Sequence, residues 1–67
     1  MKIGEKISYL RKEKSLTQQE LANLLNLGCS TIANYEKDYR TPDLDTLKLI
    51  CEFFKVSADY FIFDKDN

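Results

Sequence analysis

The sequence contains no histidine, only two cysteines and only two glycines among its 67 residues. Without histidine, a His-based catalytic triad and the usual Cys/His zinc site are both excluded. Two glycines, Gly4 and Gly28, cannot build a glycine-rich loop that cradles phosphate. These absences predict a protein that is not an enzyme and that holds no metal ion or cofactor.

Long apolar segments are also missing. No run approaches the roughly 18 apolar residues that a membrane-spanning helix needs. The N-terminal stretch MKIGEKISYLRKEK is charged throughout and does not resemble a signal peptide. Because sparse cysteine also suits a reducing compartment, we predict a cytoplasmic protein without a membrane partner, and no pattern indicates a small-molecule ligand.

The apolar residues that are present recur at helical spacing. Ile3, Ile7 and Leu10 lie at i, i+4 and i+7, which predicts a first helix with one apolar stripe, ending at about Lys14. Its other faces carry the basic residues Lys2, Lys6, Arg11, Lys12 and Lys14. This stripe predicts that one side of the helix packs and the other faces water.

Two short helices with a tight corner follow. Thr17 and Glu20 form the pattern of a capping box at the start of a second helix, and Leu16 and Leu21 are spaced as a hydrophobic staple. Asn26 tolerates the left-handed conformation that ends many helices. A third helix is predicted from about Cys29 to Lys37, with Ile32 and Tyr35 as its inward pair.

The C-terminal part predicts two more helices. Pro42 cannot continue a helix in front of it, and Asp43 and Ser57 are placed as N-caps of helices four and five. The broad apolar face of the fourth helix consists of Leu44, Leu47, Ile50, Cys51 and Phe54. We therefore predict one compact all-α domain over residues 1–67, with a helix-turn-helix at about 17–37 and a frayed acidic tail at 64–67.

A helix-turn-helix uses its second helix to present an outer face to a groove. Steps of about 100° per residue from Ile32 and Tyr35 place a short polar set on the exposed side. The set is Cys29, Ser30, Thr31 and Asn34. Asn can make a bidentate contact to adenine, and Ser and Thr can meet base edges or phosphates.

The segments LTQQELANLL and STIANYEKDYRTPDLDTLKLI closely resemble the DNA-binding domain of Cro, lambda repressor and the Xre-type regulators. The resemblance extends from Ile3 to about Ile62, and YEKDYRTPD is similar to immunity repressors of phages and integrative elements. It implies a five-helix lambda-repressor-like domain that binds operator DNA as a homodimer. The function it implies is that of a sequence-specific transcriptional regulator, most often a repressor of a palindromic operator.

The resemblance also implies site residues. Gln18 corresponds to a position that contacts the DNA backbone and supports the recognition helix. The base-reading positions correspond to Cys29, Ser30, Thr31 and Asn34, and the backbone-clamping positions to Lys37, Tyr39 and Arg40. Gly28 and Asp38 depart from the family pattern, because a Ser or Thr cap and a glycine are common at these places.

The charge balance argues against a DNA-binding function, since the net charge is −1 and the pI about 5.3. The charge is uneven, however: residues 1–40 carry seven basic and five acidic side chains, and residues 41–67 carry three basic and six acidic ones. This predicts a modest positive face with few phosphate contacts and weak salt dependence.

Several alternatives remain open. Leu49 and Phe53 either complete the core under the fifth helix or form a dimer patch together with Tyr60 and Phe63, and we favour the patch. Cys29 is interpreted as a contact residue in preference to a redox sensor. The same scaffold could serve as a protein-interaction module, such as an antitoxin or antirepressor, or as the N-terminal domain of a longer regulator.

Overall fold

The computed structural model describes residues 2–62, so Phe63 and the predicted tail at 64–67 lie outside the described residues. It contains α1 (Ile3–Glu13), α2 (Gln18–Leu25), α3 (Cys29–Glu36), α4 (Leu44–Phe54) and α5 (Ala58–Ile62). No strand occurs between residues 2 and 62. The predicted all-α fold with five helices is therefore confirmed.

The core lies where the five helices converge, because each helix supplies at least one side chain with almost no exposed surface. These side chains are Ile7, Leu21, Ile32, Ile50 and Phe61. Ala22 is also fully buried, and Tyr35 and Cys51 complete the same cluster. The inward-facing pair predicted for the third helix, Ile32 and Tyr35, is confirmed.

The left-handed backbone positions in the corners between the helices are all occupied by residues other than glycine. Ser15, Asn26, Asp38 and Lys55 all have φ between 56° and 60°, whereas neither glycine has a positive φ. Asn26 is the left-handed residue that ends α2, as predicted, and Lys55 ends α4 in the same way. Asn and Asp tolerate this conformation better than other non-glycine residues, which suits two of the four corners.

The start of α1 lies directly against the end of α3. The Gly4 N–H, which has no partner within its own helix, donates to Asp38 Oδ1 at 3.2 Å. A Cβ atom on Gly4 would collide with the Tyr35 carbonyl oxygen and lie 2.8 Å from that of Glu36. Glycine is therefore required at position 4 for this close approach, and Asp38 gives α1 an anionic cap.

Two residues differ from their predicted places. Leu44 was expected in the apolar face of α4 but is 77% exposed. It is the first residue of that helix, and helical side chains lean toward the N-terminus, which carries Leu44 past the packed part of the face. Lys6 was expected on a solvent-facing side of α1, yet it is only 5% exposed.

The buried position of Lys6 has a clear physical cause. Its Nζ donates to the Tyr60 carbonyl oxygen at 2.6 Å and lies 5.3 Å from the centre of the Tyr60 ring. The aliphatic stem is thereby buried while the ammonium group keeps polar and aromatic partners. This contact ties α1 to α5.

Among residues 2–62, no helix is long and apolar enough to cross a membrane.

Candidate nucleic-acid interface

The corner between α2 and α3 is defined by local hydrogen bonds. The Glu20 N–H donates to Thr17 Oγ1 at 3.0 Å, and the Thr17 N–H donates to Glu20 Oε1 at 2.8 Å, which confirms the predicted capping box. At the other end of α2, the Leu27 N–H donates to the Ala22 carbonyl oxygen at 2.8 Å. The two helices are thus joined by a short connection that is hydrogen-bonded on both sides.

The buried side chains Ile32 and Tyr35 set the rotation of α3. Steps of 100° per residue then place Ser30 and Lys37 at the centre of the outward face, flanked by Ala33 and Asn34. Ser30 and Lys37 are exposed, and Ala33 and Asn34 are half-buried. The outward face of α3 is small and polar, with one methyl group and one positive charge.

Asn34 is placed to offer its amide outward. Its backbone carbonyl oxygen is used within the fold, because it accepts hydrogen bonds from the Tyr39 N–H at 2.9 Å and the Arg40 N–H at 3.4 Å. These bonds wrap the connector after α3 back against the helix. The half-exposed side chain therefore remains the group that Asn34 can present to a base edge.

Cys29 and Thr31 lie on the flanks of α3 and not at the centre of its outward face. Both are half-buried, and Cys29 packs against the core. The sequence predicted an exposed Cys29, but its position one helical turn before Ile32 turns it partly inward. Ala33, which the sequence analysis did not select, lies closer to the centre of the face. Its small size hid it from a search for hydrogen-bonding side chains.

The predicted backbone-clamping residues surround this face. Tyr39 and Arg40 are exposed, Tyr39 at 75%, and Lys37 Nζ lies 5.8 Å from the centre of the Tyr39 ring. Gln18 at the start of α2 donates from Nε2 to Glu36 Oε1 at 3.0 Å. The Gln18 amide therefore connects α2 to the end of α3, and this contact orients it beside α3.

Glu36 receives a second and stronger partner, Arg11. The Arg11 Nε and Nη2 donate to the two Glu36 carboxylate oxygens at 2.6 and 3.1 Å, and Nη1 donates to the Leu16 carbonyl oxygen at 2.7 Å. The two side chains are only 11% and 8% exposed. The hydrogen bonds to Glu36 raise the pKa of Arg11 above its ordinary value, so its charge is permanent.

The ion-pair partner of Glu36 is Arg11. The pair joins α1, the start of α2 and the end of α3 in one hydrogen-bonded group. Sequence spacing could not identify Arg11 as the partner of Glu36, because 25 residues separate the two.

The basic residues available to an external partner are fewer than the sequence suggests. Of the seven in residues 1–40, Lys6 and Arg11 are engaged inside the fold. The exposed remainder is Lys2, Lys12, Lys14, Lys37 and Arg40. From its own helix and connector, the face around α3 therefore carries only the positive charges of Lys37 and Arg40.

The predicted dimer patch is largely used within the chain. Leu49 is 40% exposed, but Phe53 and Tyr60 are half-buried and pack against the core. Phe53 meets the Phe54 ring edge to face at 5.0 Å, and Tyr60 holds Lys6. Phe63 lies outside the described residues. Leu49 is therefore the main exposed member of the described patch.

Comparison with known proteins gives consistent matches. A sequence model of the family described as Helix-turn-helix matches residues 7–61. The chain is 40% identical over 62 residues to the HTH-type transcriptional regulator ImmR of Bacillus subtilis, covering 92% of this chain and 49% of that protein. It is 42% identical over 50 residues to the immunity repressor protein of Bacillus phage phi105, covering 75% and 35%.

A solved structure shows the same fold. The master regulator for biofilm formation SinR, in complex with DNA, matches with a TM-score of 0.82 at 27% identity, over 91% of this chain and 98% of that one. The chain spans about half or less of the length of the two curated relatives named above.

Proposed function

Because this chain belongs to the helix-turn-helix family, we propose that it is the sequence-specific DNA-binding domain of a transcriptional regulator that acts as a repressor. It acts by binding, without catalysis, and in the cytoplasm, where an operator would be accessible. Residues 1–67 form one domain on this proposal. The observation that carries this proposal is the outward face of α3, which is polar and small enough to enter a major groove. The opposite face of the helix is fixed by its buried side chains and by the hydrogen bond from Gln18 to Glu36.

Each part of the interface has a role in this proposal. Ser30, Ala33 and Asn34 face the base edges, with the Asn34 amide matched to adenine and the Ala33 methyl group matched to a thymine methyl. Cys29 and Thr31 contact the edges of the same site. Lys37, Tyr39 and Arg40 bind phosphates at the C-terminal end of α3, and Gln18 binds a phosphate from the start of α2.

The similarity to a regulator solved in complex with DNA supports this assignment. We also propose that the protein binds a palindromic operator as a homodimer. The two copies of α3 would then lie one helical turn of DNA apart, about 34–36 Å.

The small number of exposed cations sets an expected salt dependence. If Lys37 and Arg40 each neutralise one phosphate, a dimer makes four such contacts. The logarithm of affinity plotted against the logarithm of salt concentration should then have a slope of about −3.6. Strongly basic regulators have steeper slopes. Weak salt dependence is thus a quantitative consequence of the charge distribution.

Selection from a random duplex pool at low salt tests the proposal, followed by binding anisotropy on the selected duplex at several salt concentrations. We expect an inverted repeat with half-sites about one helical turn apart. A scrambled duplex of the same composition is the control. If folded protein enriched no sequence, the acidic balance would favour the second candidate, a protein-interaction module on the same scaffold.

A further inference from the structure

Asp38, in the corner that follows α3, places a negative charge between two of the proposed phosphate contacts, Lys37 and Arg40. A carboxylate repels phosphate, so an acid at this place lowers the affinity for any duplex. The φ of Asp38 is 59°, a left-handed conformation that glycine adopts more readily. Glycine would therefore satisfy the backbone without the unfavourable charge. What glycine could not supply is the carboxylate itself.

The Asp38 carboxylate closes over the start of α1. Its Oδ1 accepts from the Gly4 N–H at 3.2 Å, and its Oδ2 would lie 3.0 Å from a Cβ atom on Gly4. Gly4 is buried, and an N–H in the first turn of a helix has no acceptor within that helix. Loss of the carboxylate would leave this buried donor without its partner, which costs more than an ordinary hydrogen bond contributes. The contact thus holds the corner against α1.

The backbone of the connector after α3 is held by the last turn of that helix. The Asp38 N–H donates to the Tyr35 carbonyl oxygen at 3.0 Å. The Tyr39 and Arg40 N–H groups donate to the Asn34 carbonyl oxygen at 2.9 and 3.4 Å. The Asp38 side chain adds an attachment to a different helix, 34 residues away in the chain. Two helices therefore hold the connector: α3 through its carbonyl groups and α1 through Asp38.

We propose that Asp38 is a positioning residue for DNA binding: its anchor on α1 holds the phosphate-binding side chains of the connector in place. The inference rests on the proposed function, because the anchored side chains have phosphates to meet only if the domain binds DNA. A mobile connector would be ordered only on binding, and ordering one backbone residue lowers affinity roughly tenfold. The anchor removes this cost before DNA arrives, which offsets the repulsion between its carboxylate and the phosphates.

Two substitutions separate the anchor from the charge. D38N keeps an oxygen that can accept from the Gly4 N–H and a side chain that tolerates the left-handed corner, but it removes the charge. D38G removes the acceptor and the charge together, while it relieves the left-handed corner. S15G is the matched control, because Ser15 has a φ of 56° in the corner between α1 and α2. Circular dichroism confirms that each variant folds.

Binding anisotropy on the selected duplex and on a scrambled duplex measures the effect. D38G should weaken binding to both duplexes by about tenfold per bound copy, because the contacts it disturbs are to phosphates and not to bases. D38N should bind both at least as tightly as the wild type, and S15G should bind as the wild type does. The loss caused by D38G should shrink in an R40A background, whereas general destabilisation would produce the same loss in both backgrounds.

Amide hydrogen exchange in the free protein tests the anchor without DNA. In D38G the Gly4 and Tyr39 N–H groups should exchange about tenfold faster relative to the Ile50 N–H of the core. D38N should keep the wild-type ratio, because it retains the acceptor. This measurement separates local release of the connector from a loss of stability throughout the domain.

Three results would overturn the inference. The first is a D38G variant that binds every duplex as tightly as the wild type, and the second is a loss in D38G that D38N shares. The third is an exchange rate of the Tyr39 N–H, relative to Ile50, that D38G leaves unchanged. Failure of the proposed function has a different signature: no duplex binds even the wild type, while exchange at Tyr39 still responds to D38G. Asp38 would then be a structural anchor alone.

Discussion

The ion pair between Arg11 and Glu36 should be among the most costly contacts in this protein to break from one side. In R11M the Glu36 carboxylate, only 8% exposed, would retain just the Gln18 amide as a side-chain partner. In E36L the guanidinium would retain only the Leu16 carbonyl oxygen. Leaving one buried charge without its partner costs about 3–5 kcal/mol.

That cost is large for a chain of this length. At about 0.05–0.15 kcal/mol per residue, its total free energy of unfolding is about 3–10 kcal/mol. Each single variant should therefore lose at least about a third of this stability, and at the lower end of the range it would be unfolded. The double variant R11M/E36L removes both charges and leaves two neutral groups, the Gln18 amide and the Leu16 carbonyl, worth about 1 kcal/mol each. It should be more stable than either single variant.

Urea unfolding followed by circular dichroism at low temperature measures all three free energies. Urea is preferred because guanidinium chloride would screen the charges. E13A is the matched control: Glu13 is exposed and accepts a hydrogen bond from the Tyr9 hydroxyl at 3.0 Å, and removal of such an exposed contact should cost little. Single variants that lose less than about 1 kcal/mol, as exposed ion pairs do, or strict additivity in the double variant, would refute the reasoning.

Three further predictions concern other parts of the molecule. G4A should lower the free energy of unfolding by about 1–3 kcal/mol in urea despite the better helix propensity of alanine, because its Cβ meets the carbonyl oxygens that end α3; an unchanged midpoint would show that α1 can move aside. N34A should cost about 1–3 kcal/mol per half-site and relax specificity at one base pair, whereas R40A should weaken all duplexes alike and reduce the salt slope of a dimer by about 1.8, with N23A as the control. The hydrogen bonds donated by the Thr46 side chain and backbone lower the pKa of Asp43 below its ordinary 3.8. The stabilisation by the Asp43 carboxylate is therefore present above pH 3.8 and is lost as the pH falls through the lower pKa of the folded state. D43N should flatten the fall of the free energy of unfolding at acid pH, and an unchanged fall would contradict the prediction.

Features fixed by neighbouring residues could be predicted from the sequence. The Thr17–Glu20 capping box and the Asp43 cap depend on atoms three residues apart, and each forms as expected. Asn26 adopts the left-handed conformation at the end of α2, which asparagine tolerates better than most other residues. The inward pair of α3 follows from helical periodicity, so the rotation of its outward face was also predictable.

Features fixed by distant parts of the chain were not predictable. The partner of Lys6 is a backbone carbonyl 54 residues away, and the anchor of Gly4 is a carboxylate 34 residues away. Periodicity placed Leu44 on the correct stripe of α4 but could not show that no other helix covers it. The sequence likewise left open whether Phe53 packs under the fifth helix or forms a dimer patch with Tyr60, because the depth of packing depends on where α5 lies.

The internal use of cations has a consequence for specificity on the proposed function. Non-specific affinity for DNA comes almost wholly from phosphate neutralisation, and Lys6 and Arg11 cannot contribute to it while they hold α5 and Glu36. Contacts from Ser30, Ala33 and Asn34 to base edges are unaffected by this loss. A domain with few exposed cations therefore binds random DNA weakly, and the ratio of specific to non-specific affinity, which governs occupancy in a genome, depends mainly on α3 and on dimerisation. Replacing a surface acid near the proposed DNA face with lysine should consequently raise total affinity while lowering that ratio.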